Sequence, residues 1–144
     1  MKKAFTMIEL IFVIVILGIL AAVAVPKFGD TKNQADIAKA RSEIASIRAG
    51  IVNERQERLI KGDSAWISPA NLDSGSGVFG GVLMYSLTNE NKIGKWYAAT
   101  EGDGNYTYKM NSTSVSFEYN SSNGIFTCDS TDATTGESCK KLIN

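Results

Sequence analysis

The residue types that carry most enzymatic chemistry are thin in this chain. It has no histidine, the commonest general base at neutral pH and the commonest metal ligand. Its two cysteines are too few for a four-thiolate zinc site. Ser/His/Asp and Cys/His catalysis and His-based metal centres are disfavoured, and no enzymatic activity is expected. The stretch Gly75-Ser-Gly-Val-Phe-Gly-Gly lacks the Gly-Lys-Ser/Thr ending with which a phosphate loop holds a nucleotide, and reads as a flexible connection. Lys+Arg and Asp+Glu both number 15, so charge gives no case for bulk nucleic-acid binding. One ionisable residue stands out by position. Glu9 lies at the start of an otherwise apolar run, where a carboxylate is costly and usually functional.

The element that positions Glu9 must be a helix. Leu10 to Val25 is sixteen residues without a polar side chain, and twelve are Leu, Ile, Val or Phe. Extended back through Phe5, Met7 and Ile8, the run reaches about 21 residues, or roughly 30 Å of helix, which matches a bilayer core. Insertion of the apolar side chains outweighs one carboxylate near the end of the run. Lys2 and Lys3 precede it, so the positive-inside rule keeps the N-terminus cytoplasmic and sends the remainder of the 144 residues, enough for one domain, to the far side. A secretory signal is the rival reading, with Ala22 and Ala24 mimicking a cleavage site. Glu9 is the misfit, since an ordinary signal has no need for it.

Lys2-Lys3-Ala4-Phe5-Thr6-Met7-Ile8-Glu9-Leu10, with Ile-Leu-Gly-Ile-Leu-Ala-Ala-Val-Ala-Val closed by Pro26, resembles the N-terminus of type IV pilins and type II secretion pseudopilins. The resemblance covers about the first 30 residues. It implies cleavage between Ala4 and Phe5 by a membrane aspartic prepilin peptidase, followed by N-methylation of Phe5. Ala4 departs from the glycine usual before the cut; it is small enough to stand in, though processing could be slower. Loss of Lys2 and Lys3 changes the side-chain balance to 13 − 15 = −2 and creates an amine at Phe5. Glu9 then has a physical role, because a carboxylate in lipid needs a cation and the amine of a neighbouring Phe5 supplies one during assembly. Gly18 and Pro26 are where this helix can bend. The expected divisions are a cleaved leader 1–4, a transmembrane and assembly half 5–28, and a periplasmic head 29–144 that includes the amphipathic half of the helix.

Helical patterning continues to a basic last turn and glycine stop at Lys61-Gly62, although Asp30 and Thr31 could cap a restart. Unbroken, Phe5 to Lys61 is 57 residues and about 85 Å, too long for a domain of this size to bury. Ile37, Ile44 and Ile51 share a face flanked by Ala40, Ile47 and Val52, suited to cover a sheet. Arg41, Arg48 and Arg55 repeat every seven residues beside that face, with Asp36, Glu43 and Glu57 on the opposite flank. They read either as a basic edge for a neighbour's acidic edge or, more plainly, as the charged borders of an amphipathic helix.

Ser64 to Gly81 reads as a connecting loop with a short helical turn near Pro69. Strands are expected at 95–99, 106–110, 115–119 and 125–127, with turns at Asn111 to Ser114 and at Asn123-Gly124. Tyr106, Tyr108 and Met110 share one face, as do Val115, Phe117 and Tyr119. The fold expected is α+β and type IV pilin-like: a long N-terminal helix, membrane-spanning first and amphipathic second, packed on a small antiparallel sheet. Cys128 and Cys139 enclose a polar loop, and in an oxidising compartment a disulfide is the leading reading. The resemblance agrees, since pilins often close a C-terminal loop this way. By analogy with secretion pseudopilins, Asp129, Asp132 and Glu137 are candidate calcium ligands, although their spacing is not an EF-hand; no other cofactor is expected. Three Asn-x-Ser/Thr sequons begin at Asn105, Asn111 and Asn120. Asp103 and Glu118 stand two residues before Asn105 and Asn120, which resembles the extended acceptor of bacterial N-glycosylation.

The resemblance implies a structural subunit that waits in the bacterial inner membrane and joins a periplasmic pseudopilus or pilus, with type II protein secretion the leading setting. Its implied partners are copies of itself, minor pilins or pseudopilins, the prepilin peptidase, an inner-membrane platform protein and, indirectly, an assembly ATPase. The alternative is a competence pseudopilus whose head contacts DNA, for which Lys92, Lys95, Lys109, Lys140 and Lys141 are the candidate contacts.

Overall fold

A computed structural model of the chain describes residues 5–111 and 113–144, with the backbone alone at 26, 28 and 30. Lys2, Lys3 and Ala4, and with them one side of the expected cut, lie outside the described residues. The chain forms two compact units, Met1–Ala35 and Asp36–Asn144. Helix α1 (Met7–Ile60) supplies residues to both.

In the first unit, α1 starts behind Thr6. The Thr6 hydroxyl accepts the Glu9 N–H at 3.3 Å, which satisfies an otherwise unpaired amide of the first turn, and the Thr6 carbonyl accepts that of Leu10 at 3.2 Å as the first intrahelical bond. Met7–Val25 is long and apolar enough to cross a membrane, and every residue in it is exposed. Helix α1 passes through Gly18 and Pro26 without interruption. A methyl group at Gly18 would meet nothing within 4 Å, and Pro26 has no N–H to give the preceding turn.

In the second unit, the rest of α1 is joined by α2 (Pro69–Leu72), β1 (Trp96–Tyr97), β2 (Asn105–Lys109), β3 (Ser114–Asn120), β4 (Ile125–Cys128) and α3 (Gly136–Ile143). The four strands form an antiparallel sheet in the order β1-β2-β3-β4. Period-two alternation builds it. Val115, Phe117 and Tyr119 of β3 are buried, whereas Ser114, Ser116, Glu118 and Asn120 are exposed. The pairs Tyr106↔Phe117, Tyr108↔Val115 and Tyr119↔Phe126 fix the register that puts these aromatics on one face. Met110 N–H donates to the Thr113 carbonyl across the expected β2–β3 turn, at 2.8 Å. At the next turn Gly124 takes φ +73° and closes back on Asn120.

The core joins the apolar stripe of α1 to that face. Ala40, Ile44, Ile47 and Ile51 are buried with Trp96, Tyr106, Tyr108, Phe117 and Phe126, and Ile37 packs at the margin. Val52, expected to flank the stripe, instead remains 47% exposed, because helical rotation carries it past the sheet. Gly50 lies on the opposite flank of the stripe and is buried: a methyl group there would overlap the carbonyl of Val82, so glycine lets the 78–87 loop lie against α1. Helix α1 ends as expected. Gly62 at φ +85° donates to the Leu59 carbonyl and Asp63 to that of Arg58, which satisfies carbonyls of the last turn. The polar loop expected between Cys128 and Cys139 gives way to α3 at Gly136, and the helix runs on through the tail. Gly136, Cys139 and Leu142 recur every third residue and turn one face of α3 into the core.

Candidate functional site

Of the N-terminal candidates, Phe5 precedes α1 and Glu9 lies in its first turn. Phe5 and Glu9 are four residues apart and both are exposed. Among the described residues the Glu9 carboxylate has neither an ion pair nor a hydrogen-bond donor, although its backbone N–H is capped by Thr6. A carboxylate set in an apolar stretch of helix is costly in lipid unless a cation meets it.

Cys128 and Cys139 are joined by a disulfide, with Cα atoms 5.9 Å apart. It ties the end of β4 to the buried face of α3. The calcium candidates within this loop are otherwise engaged. Asp129 accepts from the Thr131 N–H and hydroxyl, and Asp132 from the Thr134 and Thr135 N–H groups and the Thr135 hydroxyl. These bonds hold both carboxyls below their ordinary range, the Thr131 hydroxyl leading for Asp129 and the Thr135 amide for Asp132. Glu137 pairs with Lys140 at 2.8 Å. Among the described residues, no three His, Cys, Asp or Glu side chains form a group that could hold a metal. The contacts these three side chains make among the described residues are within turns and along one helix face.

Asn105 and Asn120 are exposed at the ends of β2 and β3, with Asn105 registered against Glu118. Asp103 accepts the Asn105 N–H at 2.7 Å, and Asn120 accepts the Ser122 N–H at 2.9 Å within its own sequon. In the third sequon, Ser112 lies outside the described residues.

The five candidate DNA-contacting lysines fall into two groups. Lys92, Lys95 and Lys109 surround the loop that enters β1: Lys92 pairs with Glu90 at 3.0 Å, Lys95 donates to the Thr88 hydroxyl and Lys109 to the Asn91 amide oxygen. Lys140 and Lys141 sit on α3, which contacts β4 at the other edge of the sheet. No single basic strip collects all five.

The heptad-spaced arginines turn inward upon their own chain. Arg41 Nε donates to the Lys141 carbonyl at 2.7 Å, Arg48 Nε to that of Phe126 at 3.0 Å, and Arg55 Nη1 to that of Ser64 at 2.7 Å. Arg55 also lies over the Trp66 ring, 4.1 Å from its centre. Thus α1 grips α3, β4 and the following loop through side chains whose spacing also suited a neighbour's acidic edge. On the other flank, Glu43 accepts the Trp96 indole N–H at 2.9 Å.

The sequence reading missed Asp73, a carboxylate only 7% exposed. It accepts the Phe79 N–H and Tyr106 hydroxyl, each at 3.0 Å, and the Gly102 N–H at 2.9 Å. Burial and then the charge of Asp73 push the Tyr106 phenol upward, so it stays a donor. Phe79, held at the unusual φ of +62°, fits its ring between Trp96, Tyr106 and Phe126. Nothing in the local sequence separates Asp73 from the other acids; only the fold brings its three donors together.

Residues 1–25 match the prokaryotic N-terminal methylation motif. The chain is 51% identical over 47 residues to a type IV narrow pilus major component of Thermus thermophilus, covering 33% of this chain and 40% of that one. It is 34% identical over 106 residues to a fimbrial protein of Dichelobacter nodosus, covering 74% of this chain and 56% of the relative. It is 42% identical over 50 residues to type II secretion system core protein G of Pectobacterium carotovorum, covering 35% of this chain and 32% of the relative. These matches therefore span roughly a third to a half of the relatives' own lengths. By name they are pilus, fimbrial and secretion-system proteins, not enzymes. No solved structure matches the chain at comparable significance.

Proposed function

We propose that this type IV pilin-like chain is a structural subunit added from the inner membrane to a periplasmic filament. The observation that carries the reading is Glu9: a carboxylate with no partner among the described residues, on an exposed apolar helix and within the matched methylation motif. Cleavage between Ala4 and Phe5 leaves an amine at Phe5. In the membrane that amine and the Glu9 carboxylate of a neighbouring copy satisfy one another, and a subunit out of register leaves both charges unpaired. The segment 5–28 serves anchorage and assembly, with Gly18 and Pro26 able to accommodate a bend, while 29–144 forms the periplasmic head. Prepilin peptidase, a platform protein and an assembly ATPase acting indirectly are the partners this mechanism requires.

Type II secretion is the preferred setting. The match to core protein G supports it, and the division of the lysines between two sheet edges gives DNA no continuous basic track. Intact-mass analysis of the mature protein tests the reading. A start at Phe5 carrying one N-methyl group is expected. Cleavage after Ala22 or Ala24, or an uncut chain, overturns it.

A further inference from the structure

Like charges set directly opposite on neighbouring strands destabilise a sheet, and this sheet contains such a pair. Lys109 N–H donates to the Lys95 carbonyl at 3.2 Å, one step beyond the register pair Trp96↔Tyr108. Trp96 and Tyr108 point into the core, so by alternation Lys95 and Lys109 stand together on the outer face. Among the described residues neither makes an ion pair. The nearby Glu90 is bound to Lys92, and the Lys95 and Lys109 ammonium groups have only Thr88 and Asn91 as neutral partners.

The same outer face is acidic further along. Asn105, Ser116, Glu118, Thr127 and Asp129 line an open groove of about 320 Å³ across β2, β3 and β4. Glu118 is exposed and accepts no hydrogen bond from a described residue, and the described partners of the Asp129 carboxylate are both on Thr131. Lys109 is registered against Ser114, and Glu118 lies four residues further along β3, about 13 Å away at strand spacing. The basic corner and acidic groove are therefore complementary but too far apart for this direct pairing within one head.

We propose that the outer sheet face is a contact between copies of this chain, with the Lys95/Lys109 corner of one head seated in the Glu118/Asp129 groove of the next. Two different patches of one surface meet in such a contact, so it is heterologous, and it propagates a line of copies wherever the rotation between neighbours does not close a ring. It rests on the subunit reading above and specifies how neighbouring heads are selected. The opposed charges fix register and reject a misplaced head, for which like charges would meet.

Charge reversal in the full-length chain, in cells that assemble it, tests the contact. Lys109→Glu and Glu118→Lys are each expected to lower filament yield about tenfold or more, and the double variant to restore most of it. Membrane-pool level and oxidation of Cys128–Cys139 report whether each variant folds; Glu118, which has no described hydrogen-bond partner, is the safer probe. Wild-type yield from both single variants overturns the contact, as does a folded double variant no better than the singles. If Lys109→Glu instead abolishes salt-sensitive DNA retention while yield stays normal, the corner belongs to nucleic acid and the contact is wrong. A wild-type chain that forms no polymer overturns the subunit reading and the contact with it.

Discussion

Glu9 and Asp73 place a carboxylate in low-polarity surroundings in two different regions, and the chain treats them in opposite ways. In the head, Asp73 is buried and receives three donors from its own chain. On the apolar half of α1, Glu9 receives none among the described residues. A buried charge is tolerated only when its bonds are made. The head therefore completes its own chemistry, whereas the partner proposed for Glu9 is the Phe5 amine of a neighbouring copy. Charge alone does not distinguish a structural acid from an assembly acid; the location of its donors does.

The comparison predicts its own largest break. Asp73→Ala strands two amides and a phenol in the core and should cost about 3–5 kcal/mol, read by urea unfolding of the full chain in detergent. Glu9→Val should leave that unfolding curve unchanged and still insert, because removal of a charge eases partition into lipid. Filament yield should collapse instead, since docking then buries the Phe5 amine without its counter-ion at several kcal/mol. Wild-type yield from Glu9→Val would remove the charge-pair mechanism. Loss of the protein from the membrane would show Glu9 to be an insertion or stability determinant.

The disulfide sharpens the account of the head. It closes a loop across a sequence separation of 11 and secures α3, whose remaining hold includes Leu142 in the core and Arg41 on the Lys141 carbonyl. A double Cys128→Ser, Cys139→Ser variant should lose roughly 2–5 kcal/mol, with loss of α3 protection in amide exchange preceding that of β2 and β3. Equal protection throughout would mean that α3 is held by packing alone.

Much of this was legible in the sequence, and the reasons differ by element. The strands showed because one buried face and one solvated face impose strict alternation on 114–120. The long helix showed because an unbroken apolar run can be little else, and its end because Lys61-Gly62 is a chemical stop. Helix α3 was missed because only a few apolar residues mark it, and Cys139 was read for its sulfur while its packing went unread. Asp73 was invisible because its donors at positions 79, 102 and 106 are brought to it by tertiary structure. The arginines had the right spacing, but periodicity cannot tell whether a guanidinium bonds its own backbone or a neighbour's carboxylate.

The two halves of α1 also differ at their glycines, which gives a smaller and opposite pair of effects. Gly18→Ala meets open space and should raise helix stability by up to about 1 kcal/mol in micelles. Gly50→Ala gains the same propensity but drives a methyl into the Val82 carbonyl, for a net loss of about 1–3 kcal/mol. If Gly18→Ala also lowers filament yield without altering membrane level, the bend assigned to Gly18 serves assembly. If both substitutions stabilise, the 78–87 loop is less firmly seated on α1 than its geometry indicates.

The smallest effect concerns acid and the turn before α3. Asp132 carries three hydrogen bonds from Thr134 and Thr135, and they hold its carboxyl below the ordinary aspartate range. A group whose folded pKa is depressed contributes stability above its unfolded pKa, near 3.9, and loses it as pH falls through the folded value. Asp129 behaves likewise through Thr131. Both are solvent-facing, so the contribution is modest and local to the turn. Carboxyl chemical shifts followed from pH 6 to 2 should titrate late for Asp129 and Asp132, and Asp132→Asn should flatten the acid dependence of the 129–136 turn while leaving β3 unaffected. Both carboxyls titrating at the ordinary aspartate value would mean that these hydrogen bonds do not persist in solution. The turn would then be open to a cation, and the assignment of Asp129 and Asp132 to purely structural roles would fail. In that event calcium should change their shifts at neutral pH, whereas an intact hydrogen-bonded turn predicts no such response.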